Sequence, residues 1–516
     1  MEPIKFIHVS DLHLGKRQYN LTERYKDYFR AFQWVLDLAI SEKVDFLLVS
    51  GDLFDNKNIN PSVLSDVFYS IRDFKERSSL ELNREIPMIC IEGNHDNPIY
   101  TTHSWMSFLA DLDLIVLLAG DYDKDNKELT FHPYSTSNHR GGMIQIKDTM
   151  IYGLPYYGSF TKHLFPAIYQ AIPKKSNKFN ILMMHFGIEG QDKLKPGIDL
   201  SPHLTELHDK IDYLALGHYH KNYILKEQDQ WIFNPGSLEL NDLTELSYIR
   251  GAFLAEISGS EYYQKDIKIF ECDNGNKDSG MIPNREFHQV PSIDITGMSS
   301  FEKSIEHILK RLKQYGLPLR DQNKEINKSD LNYPIVTFRI IGEVGFSRLE
   351  VNLNKLKEEI LKKYAILDIR VSSKDLFSAL DLIKIEEDEL TIDSIERIVF
   401  SALIDQNEEY KSLKPEILNL LNDFKEEMIL RKPNYIKLKE ELIQWSELNI
   451  EDFKELKLDK NKTIIENPEK TSLEKKKKNK DEKEIDEKDN QNFNIYDDFD
   501  NLDSFIDDGF DESGDD

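Results

Sequence analysis

IEGNHDNP, residues 91–98, sets a glycine, an amide, an imidazole and a carboxylate side by side, directly after the apolar run IPMICI (86–91). A turn out of a buried strand needs only Gly93 and Asn94; it has no use for His95 and Asp96 as well. The excess must serve something that stands beside it in space. Four other runs share the design. IKFIHV is followed by Asp11 and His13 in SDLHLG, VDFLLVS by Asp52 in SGDLFD, FNILMM by His185 in HFG, and IDYLALG by His218 and His220 in GHYH. Each is a strand-length apolar run with a polar cluster at its C-terminal end, where layered α/β sheets carry their chemistry. Between the first two runs, Phe29, Phe32, Val35, Leu36 and Leu38 fall at helical spacing. That rhythm, kept up to about residue 285, predicts an α/β layered domain.

The pairs Asp11/His13 and His218/His220 have spacing two, so in an extended chain both members face one side. If the strands are neighbours, Asp11, His13, Asp52, Asn94, His185, His218 and His220 converge. They offer two carboxylates, an amide oxygen and four imidazoles, a donor set suited to Mn²⁺, Fe²⁺ or Zn²⁺. One carboxylate, Asp52, can bridge two ions about 3.5–4 Å apart. Gly51, Gly93 and Gly217 precede ligands where the chain must turn sharply. Any one fragment recurs by chance; five in this order, each closing a strand, do not. Nine of the fourteen histidines, His8, His132 and His163 among them, fall outside the pattern and are given no role.

At 516 residues the chain is long enough for two or three domains. Two cysteines, Cys90 and Cys272, exclude a disulfide framework and a thiolate zinc site. The opening MEPIKFIHVSD has neither the basic end nor the apolar stretch of a signal peptide, and no run approaches a membrane span. A cytoplasmic or nucleoid-associated protein with no membrane partner is expected. The formal charge of −27 is uneven: after Lys488 there are eleven acidic residues and no basic one. Net charge alone therefore does not exclude nucleic acid.

Near residue 286 the texture changes. HQVPSIDITG, a helical pattern at Phe301, Ile305, Ile308, Leu309 and Leu312, the strand YPIVTFRIIG, a helix near 349–363 and the strand YAILDIRVS predict a small α/β domain over 286–375. Residues 376–450 read as helical. Ile395, Ile398, Val399, Ala402 and Leu403 form one stripe, a turn follows near Lys414–Pro415, and Ile417, Leu420, Leu421 and Phe424 form a second. From 451 to 516 periodicity is lost, and a disordered charged tail is expected.

The ordered motifs D-x-H, G-D, G-N-H-D, H-x-G and G-H-x-H resemble those of the calcineurin-like metallophosphoesterases. That implies a double β-sandwich flanked by helices, with a dinuclear metal site. HVSDLHLGKRQYNLTERYKDYFRAF, GDLFD, YGLPYYG, LALGHYH and NPGSLELND resemble the Mre-eleven/SbcD nuclease family over residues 4–257. The resemblance implies a Mn²⁺-dependent DNA nuclease of double-strand-break repair, a 3'–5' exonuclease on duplex ends and an endonuclease on single-stranded or hairpin DNA. Mg²⁺, Fe²⁺ and Zn²⁺ are alternative ions. It assigns one ion to Asp11, His13, Asp52 and His220, and the other to Asp52, Asn94, His185 and His218. It gives His95 the scissile phosphate, with Asp96 holding the His95 ring.

Some members of the family place a second catalytic histidine where Asp55 stands here. The resemblance further implies that 286–375 caps the active site and that the helices at about 390–430 dock on an SMC-like coiled-coil ATPase of the SbcC type. This chain has no G-x-x-x-x-G-K-[ST] of its own. A homodimer is implied through Leu64, Phe68, Ile71, Trp105, Phe108 and Leu109. Lys16, Arg17, Lys57, Lys193 and Lys195 are candidate phosphate contacts, and Phe499, Leu502, Phe505, Ile506 and Phe510 a candidate binding motif in the tail. A phosphatase or cyclic-nucleotide phosphodiesterase with the same metal core, and a non-catalytic scaffold, are the other readings. The additional domains weigh against the former and the full ligand set against the latter.

Overall fold

The computed structural model describes residues 3–378 except 98–102, 175–177, 194, 226–229, 260–262, 273–279 and 322–326, and then 397, 400–401, 404, 410, 413–428 and 434–449. Residues Met1–Lys384 form one compact unit and Ile385–Asp516 a second.

Two six-stranded sheets face each other in the first unit. One runs Gln264–Glu271, Gly251–Ser258, Ile4–Val9, Phe46–Ser50, Met88–Ile91, Val116–Leu117. The other runs Tyr223–Leu225, Ile232–Asn234, Tyr213–Gly217, Phe179–His185, Thr149–Gly153, Met143–Ile146. Strand alternation explains why the central runs are apolar throughout. Ile4, Phe6, Phe46, Leu48, Ile89 and Ile91 point toward the opposite sheet and share a core with Ile181, Met183, Tyr213 and Phe233. The intervening Ile7, Val9, Leu47, Val49 and Cys90 point toward the helices. A strand covered on both faces loses its polar alternation. Phe6 lies stacked on Phe46 with centroids 5.0 Å apart; replacing it by alanine would cost about 3–5 kcal/mol.

The helix Thr22–Ser41 buries Phe32, Val35 and Leu36 on its predicted side. Helix Pro61–Leu82 starts where Asn60 accepts from the Ser62 amide and Pro61 supplies a preset φ, and it stops at Asn83 with φ 54°. The interface stripe expected on this helix and on Trp105–Asp111 is mostly core. Ile71 and Leu109 are fully buried, and Leu64 and Phe68 pack against the same cluster. Trp105 and Phe108 remain exposed, at 39% and 42%.

Parallel pairing sets the position of the site. Ile4–Val9, Phe46–Ser50 and Met88–Ile91 are parallel neighbours, so their C-terminal ends share one edge. In the second sheet Gly217 lies in register with His185.

Downstream, Ile335–Val344 forms the centre of an all-parallel sheet with Phe287–Gln289, Ile293–Asp294 and Asp368–Ser378. Helices Phe301–Gln314 and Leu353–Lys363 close one core over it. This small domain is clasped to the first by a buried ion cluster. Asp27, fully buried, accepts from Arg24 at 3.0 Å, Arg30 at 2.7 Å and Arg285 at 2.8 Å. Arg285 also donates to the carbonyls of Asp330 and Tyr333, and Arg370 lies 3.8 Å over the Tyr19 ring.

In the second unit, Lys414–Met428 and Tyr435–Asn449 are helices, and Lys437 pairs with Glu427 at 3.2 Å. The sequence reading placed the latter helix within the helical stretch 376–450 without a stripe of its own. Pro415 stands at the start of the former, where a missing amide hydrogen costs nothing. All five residues of the stripe at 395–403 and all of the tail from 451 lie outside the described residues. No helix among the described residues is long and apolar enough to cross a membrane.

Candidate metal centre

The loops that follow the parallel strands are zipped together before any side chain acts. The amides of Asp11, His13 and Leu14 donate to the carbonyls of Gly51, Asp52 and Leu53 at 3.1, 3.1 and 2.9 Å. The cost is backbone strain: Asp11, His13, Asp52 and His218 hold φ of 53°, 44°, 53° and 90°. Four non-glycine residues of one cluster in the left-handed region, at about 1–3 kcal/mol each, mark a place where position matters more than stability.

A continuous series of contacts links all seven expected ligands. His13 Nε2 faces His220 Nε2 at 3.1 Å, and His220 Nε2 lies 3.9 Å from Asp11 Oδ1. Asp52 Oδ2 lies 4.0 Å from His13 Nε2 and 3.3 Å from His185 Nε2, between two groups. Asn94 Oδ1 lies 3.1 Å from His185 Nε2 and 3.0 Å from His218 Nδ1.

The donor chemistry fits cations. His185 donates its Nδ1 proton to the Ser50 carbonyl at 2.7 Å, and His220 donates its own to Glu245 at 2.6 Å. With Nδ1 committed in this way, each ring turns Nε2 inward, where carboxylate and amide oxygens already point. Acceptors that converge in this way need a positive charge among them. His13 Nδ1 is buried without a hydrogen-bond partner. Asp11, His13 and His220, and separately Asp11, Asp52 and His185, each bring ligand atoms within 4.8 Å of one another.

Residues 4–222 match the Calcineurin-like phosphoesterase family. Over these residues the chain carries a calcineurin-like phosphoesterase domain. Three curated archaeal relatives bear the name DNA double-strand break repair protein Mre11. That of Saccharolobus solfataricus is 28% identical over 345 residues, 66% of this chain and 76% of the relative. That of Sulfolobus acidocaldarius is 25% identical over 60% of this chain and 71% of its own. For Archaeoglobus fulgidus the figures are 25%, 69% and 75%.

The electrostatics of this centre fit the same reading. Burial holds the His13 and His218 pKa values down, that of His218 to about 3, so both rings are neutral near pH 7, as ligands must be. Burial also acts to lower His185, but the Asp52 carboxylate outweighs it and lifts this ring to about 9. A proton on His185 then takes the place of a cation beside Asp52. Burial works against the charged form of Asp52, yet His185 and His13 hold its pKa well below the usual range. Asp96, buried beside Asp52, is pushed up to about 7.

Two expectations need correction. Asp96 does not hold the His95 ring: its carboxylate accepts the amides of Leu53, Phe54 and Gly93 at 3.2, 2.9 and 3.0 Å. It staples two loops together, and the His95 Nδ1–H is instead held by the backbone carbonyl of Asp55 at 2.7 Å. The Asp55 side chain turns to Lys16 at 3.1 Å and His13 at 3.6 Å. The glycines also divide. Gly51 has the expected positive φ of 91°. Gly93 and Gly217 are required by space, since a Cβ would come within 2.1 Å of the Asp52 carboxylate or 2.2 Å of the Ser50 carbonyl.

Sequence reasoning missed Glu245, the Ser50 and Asp55 carbonyls, and Tyr156, whose ring lies 5.9 Å from His185 and 5.7 Å from His218. Glu245 lies beyond the last motif in a short 3₁₀ turn, with nothing local to mark it as buried. His8, given no role, is a core residue between the Tyr213 hydroxyl and Ser50 Oγ. Of the candidate phosphate contacts, Lys16 is paired with Asp55 and Arg17 lies over Tyr25.

Proposed function

We propose that this phosphoesterase is a two-metal DNA nuclease of double-strand-break repair, acting as a 3'–5' exonuclease on duplex ends and an endonuclease on single-stranded or hairpin DNA. The observation that carries the reading is Asp52 Oδ2, poised between His13 and His185 at the middle of the seven donors. Asp11, His13, Asp52 and His220 would hold one ion, and Asp52, Asn94, His185 and His218 the other. Mn²⁺ is the leading ion, with Mg²⁺, Fe²⁺ and Zn²⁺ as alternatives. Once bound, the ions would supply a nucleophilic hydroxide from water and neutralise charge on the phosphate.

The chain's own residues do the rest. The His95 backbone amide donates to the Asp52 carboxylate at 2.8 Å, and the His95 ring packs edge-on against His13 at 4.8 Å. With Nδ1–H held by the Asp55 carbonyl, Nε2 is the atom free to face the phosphate, and in the imidazolium form it gives its proton to the leaving oxygen. Asp96 keeps this loop in register with Leu53 and Phe54.

The choice of DNA rests on the relatives' name and on the additional domains, for which a small-substrate enzyme has no use. In this reading 286–375 narrows access to the centre. The segment at 390–430 docks on an SMC-like ATPase, and exposed Trp105 and Phe108 contribute to a homodimer. The test is degradation of a labelled linear duplex with Mn²⁺ or Mg²⁺, wild type beside His95→Asn. Mn²⁺-dependent trimming that the variant lacks supports the nuclease. Turnover of small phosphoesters with every DNA left intact would replace it by a phosphatase or cyclic-nucleotide phosphodiesterase.

A further inference from the structure

We infer that a cleft between the hairpin Asp121–Thr130 and the 3₁₀ turn Gly158–His163 is a base-stacking subsite for single-stranded DNA; the inference rests on the nuclease reading and names the part of the substrate that this site would hold. The cleft, about 460 Å³, is lined by Tyr122, Lys124, Lys127, Phe160, His163, Pro166 and Ala167. Three of these seven residues carry flat rings. Phe160 lies 5.7 Å from Tyr122, 5.5 Å from His163 and 6.4 Å from Tyr157. Phe160 is 37% exposed, an aromatic face left to solvent on a short 3₁₀ turn.

The cleft is joined to the metal centre by neighbouring residues. Tyr156 packs against His185 and His218, and its hydroxyl reaches to within 3.4 Å of where a Cβ on Gly158 would stand. Tyr157 and Phe160 follow Tyr156 in the chain, their rings 6.4 Å apart.

Charge is sorted on the hairpin that forms the other wall. Asp121–Asp123 pairs with Glu128–Thr130, and the turn between them is rich in both signs. The Asp123 carboxylate is spent inside that turn, accepting from the Asp125 and Asn126 amides at 2.8 and 3.1 Å and from the Asn126 side chain at 2.7 Å. Lys124 and Lys127 are the hairpin charges that line the cleft. Rings for bases with ammonium groups at the rim for phosphates is the chemistry of single-strand recognition. A duplex does not fit it, because paired bases offer no free face.

The test is binding of a fluorescent oligo(dT) and of an abasic oligonucleotide of the same length to the full chain, in EDTA so that no cleavage intervenes. Phe160→Ala should weaken oligo(dT) about ten-fold, and the abasic strand little. Phe160→Tyr should bind as wild type, which guards against a folding artefact. Lys124→Ala with Lys127→Ala should lower the slope of log affinity against log salt by about 1.4, the loss of two phosphate contacts. Equal weakening of both strands by Phe160→Ala, or none, overturns the subsite. If wild type then still trims duplex DNA with Mn²⁺, the nuclease reading survives that failure. If wild type neither trims DNA nor binds oligo(dT), both fall.

Discussion

Glu245 accepts the Nδ1 proton of His220 at 2.6 Å and so decides which nitrogen of that ring faces Asp11 and His13. Its other oxygen accepts the Asn241 amide at 3.1 Å, and Gln18 holds the Asn241 carbonyl at 3.0 Å. The carboxylate is thus anchored on both sides. Partners of this kind fix the tautomer and raise the basicity of a ligand. Glu245→Ala should lower the affinity of one of two Mn²⁺ sites by about 10–100-fold, read by titration calorimetry, with the circular dichroism spectrum retained. Equal loss at both sites would show a general collapse instead.

Gly93 is not among the proposed ligands, yet a Cβ there would press into the Asp52 carboxylate at 2.1 Å. Gly93→Ala should therefore reduce occupancy at both sites, as Asp52→Ala does. Metal analysis of the purified variants checks this; full occupancy in Gly93→Ala would mean that the loop shifts freely.

The His95 ring is held by the Asp55 carbonyl, so the Asp55 side chain should matter little to it. Asp55→Asn should change turnover by less than about ten-fold, whereas His95→Asn should abolish it while keeping metal and DNA binding. Loss of metal in His95→Asn would make that residue a ligand.

Asp27 compensates three arginines, two of them as buried as itself. Removing it leaves Arg285 without a carboxylate in a dry junction, while Arg24 keeps Glu239 at 2.8 Å. Asp27→Ala should cost about 3–5 kcal/mol in urea unfolding and expose the segment around Arg285 to protease. Replacing Asp27 and Arg285 together by apolar residues should recover part of the loss.

His8 provides a pH prediction that is independent of metal. Burial lowers its pKa from 6.5 to about 3, so below pH 6.5 the unfolded chain binds a proton that the folded chain refuses. Stability should then fall as pH drops from 6.5 toward 3, by at most about 1.4 kcal/mol per pH unit from this residue. His8→Gln should flatten the dependence of the urea midpoint with or without Mn²⁺. An unchanged slope would exclude His8 as the source.

The sequence by itself determined the strands, their apolar character and the polar cluster that ends each of them. It could do so because these are local signals: strand length, spacing two, a glycine beside a ligand. The small α/β domain was legible for the same reason, its helix at Phe301–Gln314 repeating its apolar side every third or fourth residue. Only the tertiary structure decided what supports those clusters. The Ser50 and Asp55 carbonyls are backbone atoms that every residue carries, so no side chain announces them. Asp27 and Arg285 are 258 positions apart, and Glu245 reaches His220 only because two loops are folded against each other. Asp96 stands next to His95 in the chain but spends its charge on amides, because burial makes three orphan donors a stronger claim than one half-buried ring already held by a carbonyl.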